Sequence, residues 1–347
     1  MAIEENIFSS ERHSTFYLSS GPKNGPLLIF IHGWPELSFS WRNQLEFFGK
    51  NGWRAVAPDM RGYGRSSLYN SHEAYAQSEI VQDMMEFIRH LGREAAVWIG
   101  HDWGSPVVWN MALHHPEKVA ALTNLCIPLG FERGVDELVK YVDRSIYPME
   151  RYPKGQWDYQ YFYQENFELA QKEMENDPYK LVKALFRKRM GESKDLPVFS
   201  ASIRERNGWF PPDGVPPDMP IDLDVITEKE AREYSTALSR TGFFGANSWY
   251  MNHERNRSYS ELLPTDVDLD MPVLFLHAEH DYICSTLDSD IVLPMRACCN
   301  NLQEAVVESG HWMAQEKPDD VNKILEKWLE NNVKSVFSCA LREWGVV

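Results

Sequence analysis

The chain has few cysteines, and their placement encodes no framework. Cys126, Cys284, Cys298, Cys299 and Cys339 are odd in number, irregular in spacing and form no CxxC pair. That excludes a disulfide scaffold and a thiolate metal site, and suits a reduced, intracellular protein. Positive charge is also scarce, since 35 Lys+Arg face 51 Asp+Glu for a net charge of −16. A surface of that sign repels phosphate, so a nucleic-acid partner is not expected. No basic cluster is available to hold an anionic membrane. Long apolar runs are missing as well. A continuous run such as Leu27 to Ile31 has the length of a buried strand, against the roughly 20 residues of a membrane-spanning helix. The first residues, Met1-Ala2-Ile3-Glu4-Glu5, are acidic and lack the apolar stretch of a secretory signal. Trp344-Gly345-Val346-Val347 is no peroxisomal signal, so the cytoplasm is the expected location.

What the chain does have is aromatic side chains: 12 Trp, 15 Tyr and 17 Phe in 347 residues. At roughly 150 residues per domain, this length predicts about two domains, or one large α/β domain with an insertion. Short apolar runs at Leu27–Ile31, Arg54–Pro58, Ala95–Ile99 and Ala121–Cys126 read as strands buried on both faces. Between them, Gln77 to Leu91 places Ile80, Met84, Phe87, Ile88 and Leu91 on one helical face. Such alternation predicts a mostly parallel α/β sheet. After Pro128 the texture changes to charged and aromatic segments, with helices expected over Tyr159 to Arg189 and Glu228 to Ala237. Between these lies a loop holding Pro211, Pro212, Pro216, Pro217 and Pro220. The strand pattern returns at Pro272 to His277 and at Glu304 to Val307. The expected organisation is a core of 1–128 and 269–347 split by a helical cap of 129–268.

The segment Gly100-His101-Asp102-Trp103-Gly104 follows a strand and precedes a helix, the setting of a nucleophile elbow of GxSxG type with Asp102 in the serine position. An Asp there could simply cap the helix. As a nucleophile, however, a carboxylate ionises near pH 4 without help, attacks an sp³ carbon and forms an alkyl ester. A base is then needed only to activate water. His311, in Glu308-Ser309-Gly310-His311-Trp312, is the candidate base, and Asp281, in Ala278-Glu279-His280-Asp281, the candidate acid. The chain order Asp102, Asp281, His311 is that of nucleophile, acid and histidine in α/β hydrolases. His32-Gly33-Trp34-Pro35-Glu36 follows a strand and can aim a backbone N–H at an oxyanion. Proline has none to offer, so the expected donors are the N–H groups of Trp34 and Trp103.

From His32-Gly33-Trp34-Pro35-Glu36 through Asp59-Met60-Arg61-Gly62-Tyr63-Gly64 and Gly100-His101-Asp102-Trp103-Gly104 to Gly310-His311-Trp312, the chain resembles the epoxide hydrolases of the α/β-hydrolase fold, close to the soluble type. Mammalian soluble relatives carry a phosphatase domain upstream, which this sequence does not imply. The resemblance implies two cap tyrosines that grip the epoxide oxygen. They map to Tyr159 in Trp157-Asp158-Tyr159-Gln160-Tyr161-Phe162 and to Tyr250 in Trp249-Tyr250-Met251-Asn252-His253-Glu254. Tyr161 and Tyr163 lie close to the first, and helical spacing puts Tyr159 and Tyr163 on one face. Two phenols suit an epoxide, whose alkoxide leaving group is too basic to depart unassisted.

The expected reaction converts a lipophilic epoxide and water to a vicinal diol with no metal or organic cofactor. Trp34, Trp103, Trp312 and Met313 are expected to line the pocket. A haloalkane dehalogenase shares the Asp nucleophile, and Trp34 keeps that option open as a halide donor. A binding protein without activity is a third reading of the same fold.

Overall fold

The computed structural model describes residues 2–188, 194–264 and 267–333. Cys339, Trp344 to Val347 and the expected helix end at Arg189 lie outside them. Eight strands form one sheet: β1 (Glu4–Ser9), β2 (Ser14–Ser20), β3 (Leu27–Ile31), β4 (Arg54–Pro58), β5 (Ala96–His101), β6 (Val119–Leu125), β7 (Val273–Ala278) and β8 (Leu302–Val307). Their order is β1-β2-β4-β3-β5-β6-β7-β8. The apolar runs behave as their composition dictates: every residue of β3, β5 and β7 is buried, because helices cover both faces of a parallel sheet.

Two strands were not anticipated. β1 pairs antiparallel with β2, and β2 antiparallel with β4. β1 reads Glu-Glu-Asn-Ile-Phe-Ser and alternates exposed with partly buried residues, so it lacks the continuous apolar signal of a central strand.

From Leu125 to Val273 the named elements among the described residues are helical. The single long helix expected from Tyr159 is instead three: Asp158–Glu165, Phe167–Asn176 and Pro178–Leu185. Asp177 stops the second and starts the third, its side chain accepting the Lys180 N–H at 3.0 Å with Pro178 in the first turn.

Register places the chemistry. Ile31 pairs with Gly100, His101 with Leu125, Leu125 with Leu276, and Ala278 with Val307. The carboxyl ends of β3, β5, β6, β7 and β8 therefore lie side by side. In an open α/β sheet that edge is where ligands bind, and the helical insertion sits over it.

Candidate active site

Asp102 follows β5 directly, with φ of 48°, a left-handed conformation that Asp tolerates better than most residues. The turn throws its carboxylate forward, and the helix Gly104–His114 begins behind it. Gly104 packs so tightly that an added Cβ would lie 2.2 Å from the Ile31 carbonyl oxygen. Gly33 is constrained from the other side, since its Cβ would fall 2.4 Å from Asp102 Oδ1 and 2.7 Å from the Trp103 nitrogen. The glycine lets the loop after β3 close over the carboxylate, and the Trp34 N–H donates to Asp102 Oδ1 at 2.7 Å. That oxygen would carry the negative charge of a tetrahedral intermediate.

His311 Nδ1 lies 2.6 Å from Asp281 Oδ2, and its Nε2 lies 3.6 Å from Asp102 Oδ2. Asp281 also accepts the Ile283 and Cys284 N–H groups at 3.2 Å, which fixes its orientation. The three residues thus meet in the arrangement their order implies, while neighbouring Glu279 and His280 bond through their backbone N–H groups to the Val307 and Ser309 carbonyls, and the His280 ring lies 3.4 Å from the Tyr282 hydroxyl. Burial would strip His311 of its proton, but the Asp281 charge and the hydrogen bonds its ring donates to both carboxylates outweigh it and raise its pKa well above normal.

Tyr159 and Tyr250 line the same cavity as Asp102 and His311, a space of about 300 Å³. Their ring centroids are 5.8 Å apart. Tyr250 is held edge-on by Trp34 and Trp103 and stacked on Tyr163, centroids 4.5 Å apart and planes 11° apart. Tyr161 points away and bonds Asp136 at 2.6 Å. Burial, and then the Asp102 charge, push the Tyr159 phenol up. Tyr250 is raised too, by burial first and by Tyr159 and Asp102. Both therefore stay O–H donors at neutral pH. Trp34, Trp103 and Trp312 line the cavity as expected. Met313 does not. It is fully buried in the core at the start of the helix Met313–Glu316, because the turn that presents His311 and Trp312 directs the next side chain inward.

Residues 26–318 match the family described as alpha/beta hydrolase fold. Epoxide hydrolase A of Mycobacterium tuberculosis is 30% identical, over 90% of this chain and 92% of that protein. Bifunctional epoxide hydrolase 2 of the rat is 34% identical over 90% of this chain, and the chain spans about half, 53%, of its length. The crystal structure of epoxide hydrolase A from Mycobacterium thermoresistibile superposes with a TM-score of 0.76 at 29% identity, covering 95% of this chain and 98% of that one. The chain belongs to the epoxide hydrolases of the α/β-hydrolase fold.

The sequence alone did not point to several residues around this site. His101 has Nδ1 2.8 Å from Glu36 Oε2 and Nε2 2.8 Å from the His311 carbonyl oxygen. Both nitrogens face acceptors, so the ring is an imidazolium. Burial opposes both charges, yet the pair holds His101 raised and Glu36 lowered. Glu36 also accepts the Gly33 N–H at 3.0 Å and the Gln315 amide at 2.9 Å. One ion pair thereby ties the loop after β3 to the His311 backbone. His101, Cys126 and His311 also bring possible ligand atoms within 4.8 Å of one another. The imidazole nitrogens of that cluster already face Glu36, Asp281, Asp102 and a carbonyl, an arrangement suited to hydrogen bonds rather than a cation. The proline-rich loop contributes Trp209 and Phe210 to the cavity wall, their N–H groups bonded to buried Glu173 at 2.8 and 3.2 Å. Turn residues alone announced a surface loop; the buried carboxylate on a neighbouring helix was the missing signal.

Proposed function

We propose that the protein hydrolyses lipophilic epoxides to vicinal diols through an ester on Asp102. The observation that carries this reading is that two buried phenols, Tyr159 and Tyr250, share one aromatic-lined cavity with the Asp102 carboxylate and the His311–Asp281 pair. Asp102 attacks an epoxide carbon, and the C–O bond breaks with its electron pair going to the ring oxygen, which the phenols hold and protonate. Charge couples these events. The Asp102 carboxylate suppresses phenol acidity, and its charge vanishes as the ester forms, so the tyrosines become better acids as the alkoxide becomes a stronger base. The same loss removes one of the contacts that hold the proton on His311, which can then act as a base toward water. Water adds to the ester carbonyl, the oxyanion is held by the N–H groups of Trp34 and Trp103, and the diol departs.

The dehalogenase reading has less support. Its second halide donor would be the Trp34 indole, which instead donates to Asn247 Oδ1 of the cap at 3.1 Å. We assign 129–268 as the cap and, from the cysteine usage, a reducing compartment such as the cytoplasm. Among the described residues, no helix is long and apolar enough to cross a membrane.

Single turnover in ¹⁸O water tests the route. Label should enter Asp102 and be absent from the first diol. Label in that diol would exclude the ester. Diol from styrene oxide without halide release from a bromoalkane separates the two enzyme classes.

A further inference from the structure

We infer that Gln160 is a positioning residue that makes Tyr159, rather than Tyr250, the phenol that gives up its proton, by donating a hydrogen bond from its side-chain amide to the Tyr159 oxygen. The inference rests on the reading above, in which both phenols face the epoxide oxygen.

The geometry begins with an anomaly of the helix Asp158–Glu165. Successive helical residues project about 100° apart, so Tyr159 and Gln160 are not expected to serve one surface. Here both line the cavity, and Gln160 is only 3% exposed. Its Nε2 lies 3.1 Å from the Tyr159 hydroxyl oxygen. An amide nitrogen can only donate, while a phenol oxygen both accepts and donates. The bond therefore occupies a lone pair of Tyr159 and leaves its O–H to point at another acceptor. With substrate bound, that acceptor is the epoxide oxygen.

The same bond favours the transfer itself. When the C–O bond breaks, the ring oxygen takes the proton of Tyr159 and a phenolate remains. An N–H already aimed at that oxygen stabilises the new charge without rearrangement. The proton released when water attacks the ester restores the phenol, so the cycle balances. Around Tyr159, Gln160 is a contact that lowers the phenol against burial and the Asp102 charge. Around Tyr250, burial, Tyr159, Asp102, Tyr163 and Tyr63 all act in the opposite sense. The two phenols are thus unequal: Tyr250 is suited to hold the oxygen by a hydrogen bond, and Tyr159 to protonate it.

The test is single-turnover kinetics of the full chain with Gln160→Leu, Tyr159→Phe and the double variant. The substrates are 1,2-epoxypropane and 3,3,3-trifluoro-1,2-epoxypropane, whose alkoxide is a much weaker base. Gln160→Leu should slow ester formation from 1,2-epoxypropane about five- to tenfold, the worth of one neutral hydrogen bond. The loss should be smaller for the fluorinated epoxide, ester hydrolysis should be unchanged, and the double variant should be little slower than Tyr159→Phe. Gln160→Glu, which keeps the size but replaces the donor with an acceptor, should slow ester formation at least as much. Equal loss with both epoxides, or a full further loss on the Tyr159→Phe background, would show that Gln160 acts by packing and would overturn the inference while leaving the role of Tyr159 intact. Unimpaired ester formation in Tyr159→Phe would instead overturn the reading beneath it.

Discussion

At the residue scale, the site depends on an absent side chain as much as on those present. Gly33 lies so close to Asp102 that a methyl group would occupy the space of its Oδ1. Gly33→Ala should therefore displace the Asp102 carboxylate, the proposed nucleophile, or the Trp34 N–H and lower kcat by about 100-fold or more, since misplacement by an ångström can cost that much. Far-UV circular dichroism would confirm that the fold survives, and near-normal turnover would refute the close approach. Asp102→Asn offers a second check. The amide imitates the uncharged ester, so the His311 imidazole should titrate at lower pH than in the unmodified protein, because one of the groups favouring its charged form is gone. Histidine NMR titration reads the shift directly; an unchanged or higher value would contradict the proposed switching of His311 into a base. Asp102, Asp281 and His311 were legible in the sequence because each follows a strand and a strand announces itself by local composition. Met313 was misplaced because adjacency to His311 in sequence says nothing about the direction of a side chain after a turn. The His101–Glu36 pair was invisible for a related reason: each residue sits in a recognisable motif, but their meeting depends on how β3 and β5 pair.

At the element scale, continuous apolar runs located the central strands, and register did the rest. The cap helices were legible in kind but not in extent. Asn166 and the Asp177–Pro178 pair divide a stretch whose composition is helical throughout. The helix Glu228–Thr241 carries a clearer start: Thr227 Oγ1 accepts the Glu230 N–H at 3.3 Å, and Glu230 accepts the Thr227 N–H at 2.7 Å. Glu230 also meets Arg42 of the core helix Arg42–Lys50 at 2.7 Å, so this helix start is a point where cap and core are joined. Thr227→Ala should destabilise the protein by about 1 kcal/mol, the usual worth of such a cap. Denaturant unfolding should show a lower midpoint with unchanged kcat. A fall in kcat as large as the fall in stability would mean that this helix start positions the cap tyrosines as well.

At the scale of the whole molecule, the net charge of −16 is spread over a solvated surface, and the decisive electrostatics lie inside. His101 and Glu36, both about 1% exposed, form an ion pair joining the loop after β3, the elbow after β5 and the loop after β8. Burying two charges is costly, and removing one partner strands the other, so Glu36→Gln should cost roughly 3–5 kcal/mol. The pH dependence follows from the two shifts. Glu36 is lowered from 4.5, so its contribution is complete above that value and is lost as the pH falls through its folded pKa. His101 is raised from 6.5, so its contribution is complete below that value and is lost as the pH rises through its folded pKa. The stability difference between the parent and Glu36→Gln should therefore be greatest between about pH 4.5 and 6.5 and shrink on either side. Urea unfolding of both proteins across pH 3 to 9 would measure it. A difference that is flat with pH would mean that Glu36 acts as a neutral hydrogen-bond acceptor for Gly33 and Gln315. A difference that grows above pH 6.5 would contradict the assignment of His101 as a cation, and with it the idea that one buried charge pair holds the loop after β3 and His311 in common register.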